Sequence, residues 1–129
     1  MLDVGEFLPA DAVMWDGSDG ARAHNRYPLL YARAAWEHAR ALRPDGDFVL
    51  FARSGAQGAH RYQSLQWSGD ARMEWDGPGG LQSIVPAALS FGLSGYPYFH
   101  AEVAGYVQAG LSHEDERELW LRWLQLVLV

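Results

Sequence analysis

Short apolar runs that read as strands alternate along this chain with longer runs of helical spacing, and Gly, Pro and Asp clusters break the chain between them. This alternation limits the fold more than any single residue does. Strand–helix repetition with such connections builds right-handed βαβ units around a parallel sheet. The end of a strand is expected at Met1 to Asp3, a glycine- and proline-bearing loop over Glu6 to Ala23, and a helix over Pro28 to Leu42 with Leu30, Ala34, Ala35 and His38 near one face. Phe48 to Ala52 is uniformly apolar, as in a strand buried on both sides. After a second glycine loop, Ser64 to Trp67 reads as a strand, Leu81 to Leu93 as a helix that Pro86 starts or kinks, and Tyr96 to Phe99 as a strand. A glycine-containing loop follows at Ala104 to Tyr106. Ser112, followed by Glu114, Asp115 and Glu116, has the form of an N-cap with acids in the first turn. The helix it opens carries Leu119, Trp120, Trp123, Leu124 and Val127, with both tryptophans expected in the core.

About four βα units fit in this length, half of a (β/α)8 barrel, which typically takes about 250 residues. The expected fold class is therefore α/β, a partial TIM barrel with parallel strands. Residues 1–129 are expected to form a single domain, the C-terminal half of such a barrel cut from a longer protein. The uncovered edges of such a half-sheet favour association, so a homodimer that completes eight strands is the assembly to test.

Composition removes several function classes. With 16 acidic residues against 10 basic ones, the net charge of −6 argues against a nucleic-acid partner. All the basic residues are arginine. There is no Cys, so disulfides and thiolate metal sites are excluded, and the scattered histidines His24, His38, His60, His100 and His113 show no metal-ligand spacing. No apolar run reaches the roughly 20 residues of a membrane span, and no secretory signal opens the chain. A cytoplasmic location with no membrane contact and no cofactor is the resulting expectation.

Two short acidic motifs remain, Asp3-Val4-Gly5-Glu6 and Trp67-Ser68-Gly69-Asp70. Each places an Asp where a strand breaks into a loop, the position where (β/α)8 barrels carry their reactive groups. On local sequence alone Asp3 is equally a solvated acid near the start, and Asp70 equally a turn residue after Gly69. Two carboxylates on different strand ends among aromatic residues are nevertheless what glycosidic bond cleavage requires. Trp67 would offer an apolar face to the C–H surface of a sugar ring.

Asp3-Val4-Gly5-Glu6-Phe7-Leu8-Pro9 resembles the nucleophile motif of glycoside hydrolase family 31, Asp-aromatic-Gly-Glu. The resemblance continues in order through His24-Asn25-Arg26-Tyr27-Pro28, Arg53-Ser54-Gly55, Trp67-Ser68-Gly69-Asp70 and Pro86-Ala87-Ala88-Leu89-Ser90 to Tyr106, and is closest to the sulfoquinovosidase and α-glucosidase branch. It implies a retaining α-glycosidase acting on a carbohydrate, with Asp3 as nucleophile and Asp70 as general acid/base. An acid catalyst must keep its proton, and burial beside Trp67 and Trp75 would be the physical route. Arg53 matches the family's active-site Arg, and Tyr106 aligns with the Tyr that helps recognise a sulfonate. His100 and Glu102 fall where substrate contacts are expected, although a satisfied loop histidine is the simpler reading of His100. The sequence departs from the pattern at Val4, where an aromatic is usual; at Glu102, where the family has Asp; at Ala71, where Asn or Gln is usual; and at Ala104, where a Gly stands. These departures keep a second reading open, a non-catalytic carbohydrate-binding or scaffold piece of such an enzyme.

Overall fold

The computed structural model describes residues 1–107 and 110–128. It divides into two compact units, Met1–Trp67 with Gly95–Tyr98, and Ser68–Ser94 with Phe99 onward.

In the first unit, strands β1 (Phe51–Ala52) and β2 (Leu65–Trp67) pair in parallel, with Phe51 opposite Leu65 and Ala52 opposite Gln66. Leu2 extends the ladder by a parallel bridge to Ala52: its N–H donates to the Phe51 carbonyl at 2.8 Å, and its own carbonyl accepts from Arg53 N–H at 3.2 Å. The strand end expected at Met1 to Asp3 is therefore present. Helix α1 (Gly20–Ala23) is a single turn capped by Asp19, whose side chain accepts from Arg22 N–H at 2.8 Å. Helix α2 (Tyr27–Leu42) starts with Pro28 in its first turn, where the missing N–H costs nothing.

Three details of the first unit differ from expectation. The buried stripe of α2 is Pro28 and Ala32, flanked by the half-buried Ala35, Trp36 and Ala39, whereas Ala34 and His38 are exposed. Helical spacing allowed both stripes, and the aromatic Trp36, set edge-on to Tyr62 at 5.9 Å, belongs to the one that packs. The apolar run Phe48 to Ala52 forms ladder bonds only at Phe51–Ala52, and Val49 is 66% exposed, so it is not a strand buried on both faces. The stretch expected as a loop over Glu6 to Ala23 ends in the single-turn helix α1, whereas the β1–β2 connection, expected as a glycine loop, holds a 3-10 turn, Ala59–Arg61.

Between β1 and β2 lies a buried polar layer. Gln63 and Gln66 are almost fully inaccessible. The Gln63 amide donates to the Ser54 carbonyl (2.9 Å) and to Gln66 Oε1 (3.2 Å), while the Gln66 amide donates to the Arg53 carbonyl (2.7 Å). The carbonyls of Arg53 and Ser54, on the backbone leaving β1, are thus held by side-chain amides.

The second unit packs helices α3 (Leu81–Leu93) and α4 (His113–Val127) around Ala71, Met73, Ile84, Ala101, Ala104, Leu119 and Trp123. Helix α3 has the expected bounds and runs on through Pro86. Ser112 caps α4 as expected, accepting from Asp115 N–H at 3.2 Å, with the three acids in the first turn. Leu119 and Trp123, one turn apart, are fully buried, but Trp120 is 45% exposed. It lies about 100° around the helix from Leu119 and so leaves the buried stripe. Strand β3 (Tyr98–His100), shifted slightly toward the C-terminus relative to expectation, completes the sheet order β1-β2-β3. Among the described residues, no helix is long and apolar enough to cross a membrane.

Candidate active site

Each carboxylate or guanidinium singled out from the sequence sits just past a strand. Asp3 follows the bridge residue Leu2, Arg53 follows β1, Asp70 lies three residues beyond β2, and Glu102 two beyond β3. The two units hold different parts of the set.

In the first unit Asp3 is exposed. Its Oδ1 accepts from Val4 N–H at 2.8 Å and lies 3.4 Å from Arg53 Nη1, and its backbone carbonyl accepts from Tyr31 Oη at 3.1 Å. Arg53, only 16% exposed at its side chain, makes its shorter ion pair with Glu6, Nη2 to Oε1 at 2.7 Å. Its guanidinium also lies over the rings of Phe7 at 5.1 Å and Trp67 at 6.0 Å. Tight turns bring these groups together. Gly5 has φ +88°, and a Cβ there would collide with Ser54 Oγ and press on the Tyr31 ring, so the motif requires glycine at this point. Val4 also adopts φ +58°, which is rare for a β-branched residue and marks strain beside Asp3.

Trp67 does not present the open face expected of a sugar platform. It is 4% exposed, with Arg53 over its ring and its indole N–H buried without a partner among the described residues. It is the last residue of β2, buried next to Gln66, and its ring lies against the Arg53 guanidinium.

The second unit gathers Asp70, His100, Glu102 and Tyr106. Ser68 N–H donates to the His100 carbonyl at 2.9 Å, joining the approach to Asp70 to the end of β3. The segment after Asp70 is held by the later loop: Tyr106 N–H donates to the Ala71 carbonyl and Met73 N–H to the Val107 carbonyl, both at 2.8 Å. Tyr106 and His100 are exposed.

Asp70 is exposed as well, so the burial beside tryptophans expected to hold its proton is not there; Trp75 packs instead against the hydrophobic core of this unit. Glu102 is a perturbed carboxyl. Burial, and then the charge of Asp70, push its pKa up, with His100 opposing. One of its oxygens is buried without a hydrogen-bond partner among the described residues. A carboxyl whose folded pKa is raised contributes most below its unfolded pKa, and that stability is lost as pH rises through the folded value. Glu102→Gln is therefore expected to raise the melting temperature near pH 7, with the difference shrinking toward pH 4. Thermal melts across that range check it, and an unchanged difference would refute it.

From the sequence Glu6 reads as a supporting or loop carboxylate rather than a catalyst, and no role is read for Phe7, Tyr31, Gln63 or Gln66. The one available signal was Gln66, a polar residue in the alternating run Leu65-Gln66-Trp67, where an inward amide needs a backbone partner. Among the described residues no group of three His, Asp or Glu side chains is placed to hold a metal.

The family model for the glycosyl hydrolases family 31 TIM-barrel domain matches residues 3–128. The sulfoquinovosidase of Escherichia coli strain K12 is 34% identical over 95% of this chain, and that of Agrobacterium fabrum is 31% identical over 98%. A solved family 31 sulfoquinovosidase from E. rectale, in complex with an aza-sugar inhibitor, superposes with a TM-score of 0.84 at 33% identity over 96% of this chain. The chain spans 18% and 19% of the lengths of the two sulfoquinovosidases and 19% of the solved chain. Parallel strands with charged side chains just past them, matched by the family model over nearly every residue, make this chain a member of glycosyl hydrolase family 31 and a part of that family's TIM barrel.

Proposed function

We propose that the chain carries the catalytic groups of a retaining α-glycosidase, with Asp3 as nucleophile and Asp70 as general acid/base. The observation that carries this reading is the placement of Asp3, Arg53, Asp70 and Glu102, each just beyond its own strand, where barrel enzymes keep their chemistry.

In the first step Asp3 attacks the anomeric carbon while Asp70 gives its proton to the leaving oxygen. In the second, Asp70 takes a proton from water, which displaces Asp3 and restores the original configuration. Such a pair works with its carboxyl groups about 5–5.5 Å apart. Asp3 suits attack because it is exposed and, among the described residues, accepts a short hydrogen bond only from its own turn, on Oδ1. Asp70, exposed beside the raised Glu102, can exchange protons with solvent between the steps. Arg53, His100, Glu102 and Tyr106 are assigned to the substrate. The names of the similar proteins favour a sulfoquinovoside, with an α-glucoside next.

The test is hydrolysis of 4-nitrophenyl α-glycosides, the sulfoquinovoside among them, with proton NMR of the first-formed anomer. Release of the α-anomer supports the reading. Release of the β-anomer would replace retention with inversion. Sugar binding without turnover, by protein shown to be folded, would make this chain a binding piece.

A further inference from the structure

Among the partners of Arg53 are the carboxylates of Glu6 and Asp3, and these two contacts are unequal. Arg53 lies 2.7 Å from Glu6 and 3.4 Å from Asp3. The first is a charge-assisted hydrogen bond, and the second is longer than one. The guanidinium is planar and forked, so it can clasp a single carboxylate through two nitrogens. Closed in that way on Asp3, it would cover the oxygens that must reach the anomeric carbon. Glu6 stands against this, since it holds Nη2 while the guanidinium lies over the Phe7 and Trp67 rings. Glu6 can do so because Gly5, at φ +88°, turns the chain back after Asp3 and brings the second carboxylate to the same arginine.

We propose that Glu6 is a positioning residue that anchors Arg53 and keeps it from closing on Asp3. The proposal rests on the nucleophile reading of Asp3, and its test reads Arg53 directly, so the two can fail separately. The guanidinium N–H signals of the full chain labelled with 15N-arginine are recorded in four proteins: wild type, Asp3→Asn, Glu6→Gln and the double variant. In the wild type the Arg53 signals are expected to be resolved and displaced by the two rings. Asp3→Asn should move them little, and Glu6→Gln should move them strongly. In the Glu6→Gln background, Asp3→Asn should move them again, because Arg53 has by then turned to Asp3. A merely structural glutamate would lower stability without making Arg53 sensitive to Asp3.

Where turnover is measured, Glu6→Gln is expected to lower kcat about tenfold or more with KM nearly unchanged, the pattern of a group acting on the reacting atoms through another. Should Glu6→Gln not fold, Glu6→Asp withdraws the carboxylate by one methylene and should move the Arg53 signals part of the way. Arg53 signals that respond to Asp3→Asn as strongly as to the Glu6 variant, or to neither, overturn the proposal.

Discussion

Asp3→Asn is expected to reduce turnover of a 4-nitrophenyl α-glycoside by about 10⁴-fold or more while the protein stays folded. The amide matches the carboxylate in shape, and Asp3 is exposed, so little packing is lost. The Val4 N–H bond to Oδ1 can be kept by the amide oxygen. In the proposed mechanism what is lost is the anion that forms the glycosyl–enzyme bond, and residues that act as a unit in covalent catalysis cost most of the rate when one is removed. Asp70→Asn should behave differently. 4-Nitrophenolate leaves without a proton, so the first step is largely spared, whereas the second loses its base at a cost of about 10²–10⁴-fold. A burst of nitrophenolate followed by slow turnover, relieved by azide with formation of the retained α-glycosyl azide, would mark the assignment. Equal losses in both variants with no burst would exchange or remove these roles.

Gly105→Ala is the second change with a large expected effect, this time on stability. Gly105 has φ +77°, and a Cβ there would come within 2.6–2.8 Å of the backbone of Ala71, Arg72 and Met73. The contrast with Gly5 shows why this site is the more severe. The obstacles at Gly5 are side chains, which can turn aside, while those at Gly105 are main chain held by three hydrogen bonds, Tyr106 and Val107 N–H to the Ala71 carbonyl and Met73 N–H to the Val107 carbonyl. A left-handed alanine costs about 1–2 kcal/mol, and overpacking adds about 1–3 kcal/mol. A loss of about 3 kcal/mol is expected, read as a lower urea midpoint at unchanged slope. Asp70 precedes this segment directly, so the variant should also lose turnover beyond what its stability explains. A midpoint close to wild type would show that the loop yields more easily than its bonding implies.

Much of the architecture was legible because local signals agreed with one another. Ser112 with its following acids located the start of α4, and α3 needed only its flanking glycines and length. The strand ends were legible too, since Asp3, Arg53 and Asp70 each stop a run of apolar or alternating residues. Burial was harder to read. Trp120 and Trp123 are alike in sequence, and only the angle around the helix separates them. Val49 and Phe51 likewise share a run in which only two residues find ladder partners. The environment of the carboxyls could not be read from neighbours in sequence, because it depends on groups far along the chain. Glu102 is thus raised by its burial and by Asp70, and Arg53 meets both Asp3 and Glu6 because the chain turns at Gly5.

The paired amides of Gln63 and Gln66 also bear on how β2 finds its place. A strand set only by greasy alternation can slip by two residues and still bury the same kind of surface. Here a slip would carry the Gln66 amide away from the Arg53 carbonyl and strand it in a dry interior, where an unmatched amide costs about 1–3 kcal/mol. The two glutamines thus act as a ruler that admits one alignment. Leucine at both positions would keep the volume and remove the marks, leaving a segment that holds together but no longer measures where Arg53 must stand.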